Sequence, residues 1–427
     1  MNLKWSKQLR WLTFGCCLCA FLGYLPIAQG NEEGKGSAMT YGQVRKYLAQ
    51  HTKILELVNE EGGRVLVCPE WQGRVMTSSC DGLQGLSFGF INKEFIDAGQ
   101  PNPHFNNYGG EDRFWLSPEG GPFSLWFKHG VDQVLDNWFT PPALNEGAWT
   151  VISKPRDPFF RMFRKMELVN TAGTQFRLEV TRDVRLLSEN DLQRLFGGDV
   201  ATAVRSRKVK SVGYETVNRV VNAGEPFDKA KGLVSIWILG MFNAGPQTVI
   251  IVPYKQGDEA TLGPVVKSDY FGPIPPERLK ILPEAILFLG DGNYRSKIGT
   301  SQKRAKNVAG SMDFQNNVLT LVQFTMPEDP SQFLYMNNMW GIPQAEPYVG
   351  DVANSYNDGP AGPDKPGLGP FYEIESLSPA LELKTGEKLE HAHRTLHIQG
   401  DYETLRSIAQ KVLGVDLNVV RQTMFGQ

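Results

Sequence analysis

The sequence predicts a mainly β protein built from antiparallel sheets with short terminal helices. Its 44 glycines and 27 prolines divide the chain into many short segments, and both residue types favour turns. Several of these segments alternate apolar and polar residues, which is the period of a strand with one buried face. Convincing amphipathic helices are scarce and lie near the two ends of the chain.

The clearest alternation runs from Phe176 to Val184. The apolar residues Phe176, Leu178, Val180 and Val184 fall on even positions and Arg177, Glu179, Thr181 and Asp183 on odd positions, so one face is buried and the other is wet. Similar strands are predicted over residues 213–221, 233–242, 248–253, 285–289, 318–324 and 371–377, and a hairpin over 64–68 and 73–79. A helix is predicted over 41–51, and Asp401 is a good N-cap for another over 402–413.

The segment from Asp358 to Pro370 is rich in glycine and proline, and predicted strands stand on both sides of it. We interpret it as a loop and not as a domain linker. The predicted organisation is a helical lead-in over residues 31–60, one β domain over 61–400, and a C-terminal helix and tail over 401–427 packed on the same domain. We expect a monomer.

The first thirty residues have the pattern of a signal peptide, because Lys4, Lys7 and Arg10 precede an apolar run that ends near Ala28. We expect cleavage near Gly30 and an exported chain, periplasmic or secreted. Cys16, Cys17 and Cys19 raise the alternative of a lipoprotein, but Phe14 and Gly15 fit that signal poorly. No later stretch approaches the roughly 20 apolar residues of a membrane span.

Removing the leader removes three positive charges and no acids, which takes the formal net charge from −2 to −5. That balance argues against nucleic acid as a partner. Only Cys68 and Cys80 remain after the leader. They flank the predicted hairpin several rungs apart, so free buried thiols are favoured over a disulfide bond.

The first cluster of candidate functional residues lies between paired glycines, from Asn106 to Gly121. Glu111 and Asp112 supply acceptors, Arg113 a fork of donors, and Trp115 a flat apolar face. Sugars bind to such combinations, because their hydroxyls need directional hydrogen bonds and their C–H faces pack on aromatic rings. The structural alternative is an Arg–carboxylate pair that holds a loop over a core tryptophan.

The second cluster is the predicted strand 371–377, in which Glu373 and Glu375 share one face. Carboxylates two residues apart on a strand lie roughly 6.6 Å apart. In an enclosed site their repulsion raises one pKa and suits that group to acid–base chemistry. The alternative is a solvated strand face.

The third cluster places His391, His393, Thr395, His397 and Gln399 on one side of a predicted strand. Three histidines in register favour a polar site over structural histidines. A His-x-His pair also suggests a cupin-like metal site, but Gly386 lies one residue too close to His391 and the expected downstream glutamate is absent. We therefore expect no metal and no cofactor.

Residues 64–75 resemble the opening hairpin of galactose mutarotase (aldose 1-epimerase) relatives, and Glu375, Leu383, Gly386 and Glu387 resemble their closing segment. Residues 109–115, 354–359 and 391–400 resemble more closely one uncharacterised family of exported bacterial proteins assigned to the same superfamily. The resemblance covers roughly residues 60–400. It implies a galactose mutarotase-like supersandwich of antiparallel sheets with its ligand on the concave face.

The sequence departs from the enzymes at two places. Their Asn-Arg and His-Gly pattern survives at best as Arg113 with His129 and Gly130, and Thr385 stands where proline is usual. Fold therefore carries over more safely than activity.

Three functions remain open: a mutarotase-like enzyme, a non-catalytic module that recognises glycans, and a polysaccharide lyase or glycosidase. For the enzyme, Glu375 would take the anomeric proton and His393 would protonate the ring oxygen. The predicted sugar or glycan ligand contacts residues of all three clusters and of the 354–359 segment: Glu111, Asp112, Arg113, Trp115, Asn354, Asp358, Glu373, His391 and His397.

Overall fold

Antiparallel strands dominate the computed structural model, which describes residues 39–362 and 364–427. In chain order the strands are β1 (Leu55–Val58), β2 (Arg64–Cys68), β3 (Arg74–Ser79), β4 (Arg113–Ser117), β5 (Thr150–Val151), β6 (Phe159–Val169), β7 (Gln175–Leu186), β8 (Val209–Asn222), β9 (Ser235–Asn243), β10 (Thr248–Pro253), β11 (Leu279–Ile281), β12 (Ala285–Leu289), β13 (Ser296–Ser301), β14 (Val308–Asp313), β15 (Val318–Phe324), β16 (Asp351–Asn357), β17 (Phe371–Leu377) and β18 (Lys388–Gly400).

Short helices precede, interrupt and follow the strands. They are α1 (Tyr41–Leu48), α2 (Lys93–Ala98), α3 (Pro142–Asn145), α4 (Glu189–Phe196), α5 (Gly198–Arg205), α6 (Glu259–Leu262), α7 (Tyr402–Val412) and α8 (Leu417–Phe425). Among the described helices, none is long and apolar enough to cross a membrane. The predicted leader and its cleavage site lie outside the described residues.

The strands form three sheets. The largest has ten strands in the order β11-β12-β10-β14-β15-β18-β8-β7-β6-β5, the second has five in the order β13-β16-β17-β9-β4, and the third is the β1-β2-β3 meander. This arrangement confirms the predicted mainly β architecture of antiparallel sheets with short helices. Residues 39–427 form one compact unit, in which β1 falls within the segment expected to be a helical lead-in.

The main core lies between one face of the ten-stranded sheet and one face of the five-stranded sheet. Tyr214 of β8 and Ile238 of β9 belong to the same buried cluster, and the Ser311 hydroxyl of β14 lies 2.7 Å from that of Tyr372 on β17. On its other face the ten-stranded sheet buries apolar residues of α4, α5, α7 and α8. The second face of the five-stranded sheet is thereby left for a site.

Strand positions followed the alternation closely. The bounds of β10, β12, β15 and β17 are those predicted, since each is a run of strand-forming residues between turns. In β7 the even residues are buried as expected, but Arg182 is buried with them. The C-terminal helix is confirmed as well, because Asp401 accepts the Thr404 N–H bond at 2.9 Å.

Two local predictions need correction. The N-terminal helix α1 ends at Leu48 and is followed by turns over 49–52, so it is shorter than predicted. In the hairpin Cys68 pairs with Arg74 and not with residue 73, and a β-bulge follows Leu66. The conclusion drawn from that hairpin is confirmed, since Cys68 and Cys80 are both free and buried.

Candidate functional site

A pocket of about 620 Å³ lies on the face of the five-stranded sheet that points away from the main core. Its floor is formed by alternate residues of adjacent strands, among them Arg113 and Trp115 of β4, Trp237 of β9, Glu373 of β17 and Lys297 of β13. Side chains of a strand alternate between the two faces, so the residues between these positions point into the core. The site is therefore built on regular strands and not on loops alone.

Loops form the roof of the pocket. They comprise residues near Asn102 to Phe105, Leu135 to Trp138, and Gly359 to Leu368. The third of these belongs to the segment predicted to be a loop, and none of its described residues is part of a strand. Lys365 from this loop forms an ion pair with Asp136 at 3.1 Å. Both side chains are exposed, so this pair contributes at most about 1 kcal/mol to holding the roof closed.

Arg113 and Glu373 form a buried ion pair at 3.0 Å on the pocket floor. The Arg113 guanidinium also stacks on Trp115, with its central carbon 4.2 Å from the ring centroid. Burial raises the pKa of Glu373 to about 7; Arg113 opposes that rise and the neighbouring Glu375 adds to it. A carboxyl group that titrates near neutral pH is suited to both donate and accept a proton.

Glu375 faces the same side of β17 but lies beneath the residues that line the pocket. Its Oε2 accepts hydrogen bonds from Trp237 Nε1 at 2.8 Å and from Lys297 Nζ at 2.9 Å. Both donors line the pocket, and Glu375 itself is completely buried. Glu375 therefore positions Trp237 and Lys297, and Glu373 is the carboxylate at the pocket wall.

Asp358 and Asn354 of the 354–359 segment have different placements. Asp358 lines the pocket and accepts hydrogen bonds from the Tyr356 hydroxyl at 2.6 Å and the Gly369 N–H at 2.8 Å. Asn354 is opposite Glu375 in the sheet and donates to the Tyr270 hydroxyl at 3.2 Å. It supports the floor without lining the pocket.

Glu111 and Asp112 are buried on the other side of β4. Glu111 accepts hydrogen bonds from the Ser78 hydroxyl at 2.8 and 3.0 Å. Asp112 forms an ion pair with Arg182 and accepts a hydrogen bond from the Thr216 hydroxyl at 2.8 Å. Contrary to expectation, both carboxylates tie β4 to neighbouring strands and neither lines the pocket. The structural alternative, an Arg–carboxylate pair, holds for Asp112.

The paired glycines before this segment adopt left-handed backbone conformations, with φ of 87° at Gly109 and 114° at Gly110. A Cβ atom at Gly109 would lie 2.0 Å from the Phe90 carbonyl oxygen. Only glycine allows this close approach, which brings Glu111 and Asp112 into the core before β4 begins. The expected tight turn is thus present at this end of the cluster.

The histidine face also needs correction. His391 and His393 point into the core between the sheets, where His391 Nε2 and His393 Nδ1 each lie 2.8 Å from the Ser376 hydroxyl. His397 lies 2.8 Å from the Thr320 hydroxyl and 3.2 Å from Glu111. Burial lowers the pKa of His391 and of His393 to about 3. The three side chains are in register as predicted, but they point into the core and line no part of the pocket.

Segment 109–115 and the final strand do meet, as expected, through the contact of Glu111 with His397. Arg113 nevertheless faces the pocket, because side chains of consecutive residues in an extended chain point to opposite sides and that of Asp112 points into the core. Arg113 and His393 therefore do not share one cleft.

Several polar or aromatic residues of the pocket were not found from the sequence, among them Glu119, Trp237, Arg295 and Lys297. Glu119 belongs to the first cluster, and Trp237 to a predicted strand, so parity and proximity could have suggested both. Lys297 lies on β13, a short polar strand without a hydrophobic alternation. No sequence pattern indicated that Lys297 belongs to a site.

A family model matches residues 39–424, and its description is a family of unknown function, DUF6786. The chain belongs to DUF6786. This match confirms the expectation of an uncharacterised family. Among curated proteins, none matches the sequence.

Two solved structures are similar to this DUF6786 chain. A protein of Escherichia coli K12 described as a candidate aldose 1-epimerase has a TM-score of 0.47 and 12% identity, covering 82% of this chain and 99% of its own. The Slr1438 protein of Synechocystis sp. PCC 6803 has a TM-score of 0.43 and 13% identity, covering 82% and 96%. Both likenesses are distant, so no conclusion about activity follows from them.

The described part of this DUF6786 chain contains no group of three or more His, Cys, Asp or Glu side chains arranged to hold a metal ion. The two histidines of the His-x-His pair share the Ser376 hydroxyl instead.

Proposed function

We propose that the pocket on the five-stranded sheet binds a carbohydrate. The observation that supports this most is a set of buried polar atoms on one floor that make no hydrogen bond within the described residues. They are the donors Arg113 Nε and Trp115 Nε1. Buried polar groups are normally hydrogen-bonded, so donors that lack partners indicate a ligand with hydrogen-bond acceptors.

The aromatic residues beside these atoms favour a sugar among the possible polar ligands. Phe105, Trp115, Trp138 and Trp237 line the same pocket, and their rings offer flat apolar faces. A sugar presents hydroxyls at its edge and C–H groups on its faces, and it therefore matches both parts of the wall.

We propose further that the chain interconverts sugar anomers, with Glu373 in place of the expected Glu375 and Lys297 in place of the expected His393. Glu373 takes the proton of the anomeric hydroxyl while the C1–O5 bond breaks, and the Lys297 ammonium gives a proton to the ring oxygen. The reverse transfers close the ring on either face. The pKa of Glu373, near 7, supports this role, and binding without turnover remains the alternative.

A calorimetric titration with a panel of monosaccharides tests the binding proposal. We expect saturable binding by the wild-type chain, and weaker binding by Trp115→Ala because an aromatic face is lost. Glu179→Gln on β7 is a control outside the pocket, since Glu179 forms an ion pair with exposed Lys165. If no sugar of the panel binds, the proposal is wrong.

A further inference from the structure

Arg295 differs from the other cations that line the pocket. It lies just before β13, is half-buried, and stacks on Phe271 with its guanidinium carbon 3.7 Å from the ring centroid. Stacking occupies the flat face of the guanidinium and leaves the N–H groups at its edge available. Trp340 lines the pocket beside Phe271, at 6.3 Å between the ring centroids.

The remaining lysine and arginine side chains of the pocket each have a carboxylate partner. Arg113 pairs with Glu373 at 3.0 Å, Lys297 with Glu375 at 2.9 Å, and Lys365 with Asp136 at 3.1 Å. Within residues 39–362 and 364–427, no carboxylate oxygen lies within 4.0 Å of the Arg295 guanidinium. Its charge is thus left without a direct partner.

Two acidic groups that line the same pocket are engaged elsewhere. Asp358 accepts hydrogen bonds from the Tyr356 hydroxyl and the Gly369 N–H, and Glu119 accepts one from Trp138 Nε1 at 2.8 Å. Burial raises the pKa of both carboxyl groups, so the charged form of each is disfavoured. Asp364, another acid of the pocket lining, is exposed on the roof loop.

We infer that the ligand is an acidic sugar whose carboxylate pairs with Arg295. A guanidinium binds a carboxylate through two parallel hydrogen bonds in one plane. Arg295 interacts with the Tyr356 hydroxyl, and its five N–H donors leave enough for that geometry as well. The ring of the sugar then packs on the aromatic residues of the same pocket, and its hydroxyls reach Glu373 and Arg113. This inference rests on the proposed binding of a carbohydrate and specifies the class of sugar.

The test compares glucuronate and galacturonate with glucose and galactose by titration calorimetry. We expect the wild-type chain to bind the uronates on the order of tenfold more tightly than the neutral sugars, as for a charge-assisted hydrogen-bonded pair. Arg295→Gln should remove that preference, which is measured as the ratio of uronate to neutral-sugar affinity. Arg295→Lys keeps the charge without the fork and should retain only part of it. Arg161→Gln is the control, because Arg161 pairs with Asp183 outside the pocket.

The outcomes separate this inference from the proposed function. If neutral sugars and uronates bind equally, or if Arg295→Gln keeps the preference, the acidic-sugar inference is wrong and carbohydrate binding stands. Preference for glucose 6-phosphate over glucuronate would also overturn it, since the anion recognised would then be a phosphate. If no sugar binds, both proposals fail. Should Arg295→Gln not fold, the wild-type preference and the Arg295→Lys variant decide.

Discussion

Glu375 and Ser376 are neighbours on β17, and their side chains serve opposite faces of the five-stranded sheet. The Glu375 carboxylate accepts hydrogen bonds from Lys297 and Trp237 under the pocket. The Ser376 hydroxyl lies 2.8 Å from both His391 and His393 in the core. One strand thus separates a pocket with carboxylates from a buried cluster of histidines, and the predictions below follow from that division.

Replacing Glu373 by glutamine should stop anomer interconversion while leaving sugar binding largely intact. The amide keeps the shape and most hydrogen bonds of the carboxyl group but cannot take up the proton. Exchange between anomers is measured by NMR on a sugar that binds. Glu179→Gln should exchange at the wild-type rate. Wild-type exchange by Glu373→Gln would remove Glu373 from the mechanism, and no exchange by the wild-type chain would leave a binding module.

The raised pKa of Glu373 makes the free energy of unfolding depend on pH. Its pKa rises from 4.5 in the unfolded chain to about 7 in the folded one, so the folded state binds the proton more tightly. This contribution is fully present below pH 4.5 and is lost as pH rises through 7. Urea unfolding measures the free energy of unfolding of the wild type and of Glu373→Gln at pH 4.5 and at pH 8. Between these two pH values the wild type should lose about 3 kcal/mol of stability relative to the variant. A difference that stays constant with pH would contradict this assignment.

His391 and His393 should remain neutral throughout the range in which the chain is folded. Burial lowers both pKa values to about 3, whereas the unfolded residues titrate near 6.5. Their contribution to stability is present above 6.5 and is lost as pH falls toward 3, which promotes acid unfolding. The pKa of each imidazole ring is measured by following the histidine NMR signals as a function of pH. A titration of either ring near pH 6.5 in the folded chain would show that it is not buried as described.

The buried pair of Asp112 and Arg182 should matter more for stability than pairs at the surface. Arg182 also donates to the Gly73 carbonyl at 2.9 Å and to Asn218 at 2.7 Å, and both members of the pair are fully buried. Arg182→Met leaves Asp112 as an unpaired buried carboxylate and should lower the unfolding free energy by about 3–5 kcal/mol. Arg161→Met breaks a partly exposed pair and should change it by about 1 kcal/mol or less. Denaturant unfolding of the two variants compares them, and equal losses would argue against this role of Arg182.

Cys68 and Cys80 should react as free thiols only after unfolding. Both are buried, and burial raises the pKa of Cys80 to about 12 and that of Cys68 further. Since the thiolate is the reactive form, a thiol reagent at pH 8 should modify neither residue in the folded chain. Under denaturing, non-reducing conditions it should modify both. Failure to label them after unfolding would indicate a disulfide bond.

Alternation within the sequence was enough to place strands and to decide which residues share a face. Thr248 to Pro253 and Phe371 to Leu377 have the predicted bounds, and Glu373 and Glu375 share a face as expected. Parity cannot say what packs against a face, because that depends on strands distant in sequence. The polar face of β18 therefore looked like a site, although Ser376 and Thr320 supply its partners from neighbouring strands.

Local sequence was a weaker guide where tertiary contacts decide. Arg182 is a polar residue on the otherwise apolar face of β7, and no role was predicted for it. It pairs with Asp112, 70 residues away in the sequence. Lys297 lies on a strand of small and polar residues and reaches the pocket only because β13 pairs with β16. Helices α4 and α5 are short, and their apolar residues are buried against the ten-stranded sheet.

A crystal structure of the chain with its tightest-binding sugar tests the central claim most directly. We expect the sugar ring to lie on the five-stranded sheet against the aromatic residues of the pocket, with its hydroxyls within hydrogen-bond distance of Glu373 and Arg113. A sugar bound at the histidine cluster or at any other surface, with this pocket unchanged, would contradict the account.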